Sequence, residues 1–152
     1  MCAVRLGGED AAWLESVISR IGAVVGGRCT YEAARHWGAR NPWGLPFFIL
    51  THRPEEQPED EQFIFVSGVQ EAVRGALDAA GGKDVSIMGG AEVIRQALAG
   101  GIVDELSIVI APVILGAGKR LFEGFSQSLE LEQAGVRQSQ FATFIDYRVR
   151  SS

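Results

Sequence analysis

Hydrophobic positions along the first third of the chain switch between helical and strand-like spacing. At residues 10–21 the apolar side chains recur at spacings of one, three and four, which predicts an amphipathic helix. The apolar run at 23–25 ends at two glycines, which is typical of a buried strand meeting a tight turn. Thr30 is then expected to cap a helix that continues to about Trp37, and a strand is expected at 47–51.

The alternation continues to about residue 100 and then stops. Two more strands and two more helices are expected, at residues 63–66, 84–88, 69–80 and 91–99. A long apolar strand is predicted at 105–115, broken at Pro112. Period-two segments at 129–132 and 144–149 predict an antiparallel hairpin. The order of elements predicts a three-layer α/β fold with a mixed, mostly parallel central sheet, helices on both faces and a C-terminal antiparallel hairpin.

Length and charge narrow the possible functions. The chain has 152 residues and 47% hydrophobic residues, which predicts a single domain over 1–152. Its formal charge of −5 argues against nucleic acid or an anionic membrane as the main partner. No apolar run reaches the ~18 residues of a membrane span, and residues 1–6 are too short and too soon polar for a signal peptide. Two cysteines without metal-ligand spacing predict no metal site and favour a reduced, cytoplasmic location.

Two strand–glycine–helix segments are the main candidates for chemistry. The first reads Val-Val-Gly-Gly-Arg-Cys-Thr at 24–30, and the second reads Ile-Met-Gly-Gly-Ala-Glu-Val at 87–93. Glycine lets the backbone approach a ligand, and a helix N-terminus offers free N–H groups, so each segment could bind phosphate. Each turn alone could equally be loop punctuation. The Gly-x-Gly-x-x-Gly fingerprint is absent, and the Gly-Ala-Gly-Lys at 116–119 lacks the glycine spacing and the Ser or Thr of a P-loop.

A basic group follows another predicted strand. Thr51, His52 and Arg53 come at its end, and with Arg28 they would form a cationic cluster in an otherwise acidic chain. A solvated loop is the common explanation of such residues. Beside two phosphate turns, a site for an additional phosphate is favoured, such as the 2′-phosphate that distinguishes NADPH from NADH.

These motifs, taken in order, carry a family resemblance. They are the segments 26–32, 50–53 and 88–92 together with Val-Asp-Glu-Leu at 103–106 and Pro-Val-Ile-Leu-Gly-x-Gly-x-x-Leu-Phe at 112–122. The chain resembles the dihydrofolate-reductase-like superfamily from about residue 13 onward. It is most similar to the reductase domain of the bifunctional riboflavin-biosynthesis deaminase/reductase and to that domain's stand-alone bacterial relatives.

The resemblance implies NADPH as cofactor and assigns roles to matching residues. It places at the cofactor the residues Gly27, Arg28, Thr30, Thr51, His52, Arg53, Gly89, Gly90, Ala91 and Glu92. It implies a cis bond between Gly89 and Gly90, and it places Pro112, Leu115 and Gly116 on the nicotinamide and substrate side. It also implies a homodimer that pairs through the late part of the sheet, around residues 107–111. No catalytic residue is identified.

One departure from the family pattern concerns the start of the chain. Family members open with a strand that ends in an Asp-Gly motif and helps to shape the substrate site. Here only Cys-Ala-Val-Arg-Leu at 2–6 precedes the first predicted helix, without an Asp-Gly. Three interpretations stay open: the chain is a truncated form, residues 2–6 replace the strand, or a partner chain supplies it.

The sequence therefore favours an NADPH-dependent reductase of a small heterocyclic or carbonyl-like substrate. A pyrimidine intermediate of riboflavin synthesis is the substrate class best known for the family. The alternative is a non-catalytic nucleotide-binding protein that has lost the substrate site. A third interpretation, a domain that serves only assembly, leaves the order of cofactor motifs unexplained.

Overall fold

The computed structural model describes residues 8–126 and 128–150. The chain divides into two compact units. One contains residues 20–102 and 120–123, and the other contains 103–119, 124–152 and residues before 20. Residues 2–6, which one of the three open interpretations puts in place of the missing strand, lie outside the described residues, and a single domain over the whole chain stays a prediction.

The first unit is built on a four-stranded parallel sheet of order β3-β2-β1-β4. Its strands are β1 (Ile21–Gly27), β2 (Phe47–Leu50), β3 (Phe63–Val66) and β4 (Asp84–Ile87). The middle strands are buried on both faces, as continuous apolar runs in parallel sheets are. The sequence therefore predicts these strands to within a few residues.

Helices cover both faces of this sheet. Helix α3 (Val69–Ala79) packs Gly75 against the ring of Phe48 on one face. On the other face, Tyr31 of α2 (Arg28–Ala33) joins a core cluster with Phe47 and its neighbours. Helix α4 (Ala91–Ala99) follows β4. The predicted α/β fold with helices on both faces is confirmed for this sheet.

The segment after α2 differs from the sequence prediction. Thr30 does not cap a helix to Trp37: the N-cap of α2 is Gly27, and the helix ends at Ala33. Arg35–Ala39 forms a short turn in which Arg35, His36 and Trp37 all have positive φ. Such backbone costs roughly 1–2 kcal/mol per residue. Trp37 makes ring contacts with Trp43 and Phe47, which favour this turn, and both tryptophans are partly buried and pack against the core cluster.

The second unit contains a three-stranded antiparallel sheet of order β5-β7-β6. Its strands are β5 (Glu105–Ile110), β6 (Leu131–Gln138) and β7 (Thr143–Val149). Strands β6 and β7 form the predicted C-terminal hairpin, although β6 continues well past residue 132. Strand β5 ends before Pro112 instead of continuing to Leu115, since proline has no N–H for a ladder. The described strands thus form two separate sheets, where one mixed sheet is expected from the sequence.

Helix α1 (Gly8–Arg20) places a buried carboxylate in the second unit. Asp10 accepts hydrogen bonds from Arg137 Nη1 at 2.8 Å and from Ser139 Oγ at 2.9 Å. The Arg137 guanidinium also lies 3.8 Å from the ring centroid of Phe144 and 4.7 Å from that of Trp13. These contacts tie α1 to the β6–β7 hairpin. Among the helices of the described residues, none is long and apolar enough to cross a membrane.

Candidate functional site

The predicted cofactor residues of the first unit lie at the carboxyl ends of its parallel strands. In the ladder, Gly27 pairs with Leu50 and Val25 pairs with Ile87, so β1, β2 and β4 end at one edge. From β1 the chain crosses to β2 on one side, whereas β4 lies on the other side of β1. The boundary between β1 and β4 is therefore a topological switch point, which is where open α/β sheets bind ligands.

The two glycine turns meet at this switch point. A β-carbon on Gly89 would stand 2.7 Å from Thr30 Cγ2 and 3.0 Å from Thr30 Oγ1. One on Gly90 would lie 3.5 Å from Thr30 Oγ1 and 3.8 Å from the Cα of Gly27. The turn after β4 thus packs directly on the beginning of α2. The absence of side chains at these glycines keeps the backbone open to a ligand.

The prediction of a cis peptide bond between Gly89 and Gly90 is wrong. No peptide bond among the described residues is cis. Gly89 has φ +74° and Gly90 has φ +82°, which only glycine adopts without strain. Two successive positive φ values already redirect the chain from β4 into α4, so the turn does not require a cis bond.

Two helices begin at these turns without a side-chain cap. Gly27 precedes α2 and Gly90 precedes α4, and at neither end does a backbone N–H donate a hydrogen bond to a capping side chain. The first N–H groups of a helix have no partner within the helix. At α4 these include the N–H groups of Ala91 and Glu92, which are available to an anion.

The side chain of Glu92 does not face the predicted phosphate site as a free group. Its carboxylate accepts hydrogen bonds from Arg95 Nη2 at 2.6 Å and from Gln96 Nε2 at 3.1 Å. The bond from Arg95, followed by that from Gln96, lowers the pKa of Glu92 below its usual value. Only its backbone fits the role that the resemblance assigns.

The predicted cationic cluster exists, but acidic residues are part of it. Arg28 donates from Nε to Glu32 at 2.7 Å and from Nη2 to Glu56 at 3.2 Å. Arg53 donates from Nη1 to the other carboxylate oxygen of Glu56 at 2.9 Å. The hydrogen bond from Arg28 lowers the pKa of Glu32 and raises that of Arg28 itself. Sequence reasoning missed Glu56, because a glutamate in an acidic loop has no local pattern that marks it.

Thr51 and His52 complete this group in different ways. Thr51 is buried; its N–H donates to Val66 O at 2.9 Å, and its Oγ1 accepts from the N–H of Arg53 at 3.2 Å. This second bond fixes the turn that carries Arg53. His52 lies exposed beside it. The structure therefore brings Arg28, Arg53 and Thr51 together at one edge of the sheet.

The three residues predicted for the substrate side belong to the other unit. Pro112, Leu115 and Gly116 follow β5 in an irregular segment and are all exposed. Gly116 has φ +73°, and Leu115 is 68% exposed. Their role at a substrate stays a prediction.

A shallow recess at the opposite edge of the parallel sheet is a weaker candidate. Its volume is about 410 Å³, and it is lined by Arg40, Asn41, Glu59, Asp60 and Gln62. Asp60 accepts hydrogen bonds from the backbone N–H groups of Gln62 and Asn41, and these bonds lower the pKa of Asp60. Because Gln62 immediately precedes β3, this recess lies at the amino ends of the strands, away from the edge that binds ligands in such sheets.

A family model described as the RibD C-terminal domain matches residues 44–143, about two thirds of the chain. The chain belongs to the RibD C-terminal domain family. The resemblance drawn from the motifs is thereby confirmed. The match includes Thr51, Arg53, Gly89 and Gly90, whereas Gly27 and Arg28 precede it.

The chain is also similar to individual proteins. The uncharacterized protein YwjB of Bacillus subtilis (strain 168) is 27% identical over 141 residues, which cover 92% of this chain and 80% of YwjB. The structure of a protein of Shewanella sp. PV-4 assigned to riboflavin biosynthesis has a TM-score of 0.79 at 22% identity and covers 97% of this chain and 85% of its own.

Two further structures show how widely this fold is shared. The riboflavin biosynthesis reductase Rib7 of Saccharomyces cerevisiae has a TM-score of 0.70 at 13% identity, covering 95% of this chain and 82% of Rib7. Dihydrofolate reductase from Enterococcus faecalis, in complex with NADP(H), has a TM-score of 0.66 at 18% identity, and the match covers 93% of this chain and 83% of the dihydrofolate reductase chain. The dihydrofolate-reductase-like fold of the RibD C-terminal domain is therefore confirmed.

Proposed function

We propose that the protein is an NADPH-dependent reductase of a small heterocyclic or carbonyl-like substrate. The observation that carries the proposal is the meeting of two glycine turns, at Gly27 and at Gly89–Gly90, on the switch point of the parallel sheet. Family membership and the reductases among its structural relatives support a reductase over other nucleotide-dependent activities. A riboflavin-pathway pyrimidine is the first substrate to test.

The residues present fit a dinucleotide phosphate. Gly90 itself has no side chain, and a β-carbon there would lie 3.5 Å from Thr30 Oγ1 and 3.6 Å from Val93 Cγ2, so the glycine keeps its backbone accessible beside these side chains. Helix α4 begins there without a side-chain cap, and a helix N-terminus favours an anion by about 0.3–1 kcal/mol when exposed. Buried Arg28 Nη1 has no hydrogen-bond partner, which is the state expected of a donor that a ligand satisfies.

In this proposal each group of the chain has a limited task. NADPH supplies the hydride. The N–H groups of Ala91 and Glu92 hold the pyrophosphate, while Thr30 orients the turn that carries Gly89. Arg28 and Arg53 hold the 2′-phosphate through charge-assisted hydrogen bonds. The protein thus contributes position and electrostatics, and none of its residues is assigned as the donor of the proton that completes the reduction.

A nucleotide-binding protein without chemistry is the second candidate, and one observation favours it. The carboxylates near the site, those of Glu32, Glu56 and Glu92, are each paired with an arginine. A general acid must hold a transferable proton near the working pH. The hydrogen bonds from their arginine partners lower the pKa of Glu32 and of Glu92, so these two glutamates are poor proton donors.

The two candidates are separated by a turnover assay under conditions where binding is also measured. The purified protein is titrated with NADPH by calorimetry, and NADPH oxidation is then followed at 340 nm (the reduced nicotinamide band) with a panel of pyrimidine and carbonyl substrates. The proposal predicts binding and substrate-dependent oxidation. Binding without oxidation across the panel favours the second candidate, and absence of binding contradicts both.

A further inference from the structure

Glu56 occupies the space between the two arginines that the proposed function assigns to the 2′-phosphate. Its Oε2 lies 3.2 Å from Arg28 Nη2, and its Oε1 lies 2.9 Å from Arg53 Nη1. One carboxylate therefore joins two guanidinium groups, each through a different oxygen. A phosphate monoester, which offers three oxygens to the same donors, would use the same arrangement.

Arg28 is held in place by contacts other than its ion pair with Glu56. Its guanidinium carbon lies 4.8 Å from the centroid of the Phe65 ring, and Nε is held by Glu32. Its side chain is 21% exposed, and Nη1 is buried without a partner. A donor that is already positioned and incompletely satisfied is suited to an incoming anion.

Charge in this cluster is balanced without a ligand. Arg28 and Arg53 carry two positive charges, while Glu32 and Glu56 carry two negative charges. A phosphate that approached with Glu56 still in place would meet a neutral cluster and a carboxylate at the position of its own oxygens. Like charges at such distances disfavour each other, so the phosphate and Glu56 cannot share the two arginines.

Glu56, rather than Glu32, is the carboxylate that can move away from the arginines. Glu32 lies on α2, four residues after Arg28, where helix geometry keeps the pair together. Glu56 lies in the 51–62 loop, which has no helix or strand, and its side chain is 41% exposed. Rotation of its side chain into water frees Arg28 Nη2 and Arg53 Nη1.

We propose that Glu56 is a built-in competitor for the 2′-phosphate and thereby sets the preference between NADPH and NADH. The inference rests on the proposed function for the location of the ligand. Binding of a 2′-phosphate displaces Glu56 from Arg28 and Arg53, which lowers the affinity for phosphorylated nucleotides. Binding of the unphosphorylated nucleotide leaves Glu56 on the arginines. Glu56 is thus a specificity-determining residue that acts through two arginines.

The test compares 2′,5′-ADP with 5′-AMP, which differ only in the 2′-phosphate. Calorimetric titrations are performed with the wild-type protein, Glu56→Gln and the control Glu55→Gln. Glu55 is the adjacent exposed glutamate and takes no part in these ion pairs, so its variant removes the same charge from the same loop. We expect Glu56→Gln to bind 2′,5′-ADP at least about tenfold more tightly, because an arginine–phosphate contact no longer competes with an arginine–carboxylate contact.

Titration with 5′-AMP and the Glu55→Gln control separate the inference from its alternatives. For 5′-AMP, all three proteins should agree within about twofold. An equal gain in Glu55→Gln would show a general charge effect, and a loss in Glu56→Gln would show that Glu56 positions the arginines; either result overturns the inference. If no variant binds 2′,5′-ADP, the inference fails, whereas NADPH turnover by the wild type would leave the proposed function intact. A selectivity change in Glu56→Gln without turnover would preserve the inference and contradict the reductase.

Discussion

Gly89 lies so close to Thr30 that a β-carbon at position 89 would stand 2.7 Å from the Cγ2 atom of Thr30. Atoms of that kind require at least about 3.5 Å. The contact joins the turn after β4 to the first helix turn after β1. It therefore fixes the relative position of the two glycine turns on which the proposed nucleotide site depends.

The first prediction concerns stability at this contact. Gly89→Ala introduces both a strained φ and a steric clash, whereas Gly81→Ala, at φ +62° with nothing within 4 Å, introduces the strain alone. We expect Gly81→Ala to lower the free energy of unfolding by about 1 kcal/mol and Gly89→Ala by about 2–4 kcal/mol. Urea unfolding measures the difference. Adding Thr30→Ser to Gly89→Ala should recover part of the loss, because it removes Cγ2; equal losses in the two single variants would contradict the close contact.

The second prediction concerns cofactor preference. Arg53→Ala should reduce the NADPH affinity by roughly 1–2 kcal/mol and leave the NADH affinity unchanged, since Arg53 is expected to contact only the 2′-phosphate. Arg20→Ala is the control, because Arg20 is also an exposed arginine in an ion pair, with Asp84, but precedes β1 at the opposite edge of the sheet. Calorimetric titrations with both nucleotides give the two ratios. A parallel loss for NADPH and NADH in Arg53→Ala would place Arg53 elsewhere on the ligand.

The third prediction concerns assembly. Strand β5 is an edge strand of its sheet and exposes Val109 and Ile110, so the predicted homodimer would pair along it. Ile110→Glu should raise the dimer dissociation constant at least about tenfold. Leu77→Glu, on α3, is the control because Leu77 is 56% exposed and Ile110 is 54% exposed. Light scattering at tens of micromolar protein measures the mass; a monomeric wild type would contradict the homodimer.

The fourth prediction concerns the buried carboxylate of the second unit. Asp10→Ala leaves Arg137 and Ser139 without the acceptor that both now use. Because Arg137 is 30% exposed on its side chain, water compensates part of this loss, and we expect a destabilisation of about 2–3 kcal/mol. Asp78→Ala, at an exposed position of α3, should change the free energy of unfolding by less than about 0.5 kcal/mol. Thermal unfolding compares the two, and a similar small effect in both would mean that the Asp10 cluster contributes little.

The sequence predicts the parallel sheet well, because β1 is an apolar run that ends at two glycines and β2 and β3 are continuous apolar runs that end before a polar residue. Strand β3 and helix α4 have the predicted bounds. Burial on both faces of the central strands makes such runs obligatory, so the local pattern and the tertiary structure agree at those positions.

Three features depend on contacts that no local pattern records. After Glu132, strand β6 loses the period-two alternation, because Ala134, Gly135 and Val136 follow one another and the register is irregular at Gln133/Gly135. The strand signal stops there, and the strand continues by pairing with β7. The positive φ at Arg35–Trp37 is stabilised by aromatic packing around Trp37. Glu56 reaches Arg28 across 28 residues of sequence. For Glu56 and Trp37 the partners Arg28 and Phe63 lie far away along the chain, and only the folded structure identifies them.

The central claim is that the turn at Gly89–Gly90 binds the phosphates of NADPH, and one calorimetric comparison tests it most directly. Gly90 and Gly82 have φ +82° and +83°, so valine is strained by a positive φ at both positions. Only at Gly90 does the side chain enter the space beside Thr30 and Gly27; around Gly82 nothing lies within 4 Å. We predict that Gly82→Val binds NADPH as the wild type does and that Gly90→Val, with retained circular dichroism, does not bind it. NADPH affinity retained in Gly90→Val would contradict the claim and locate the site elsewhere.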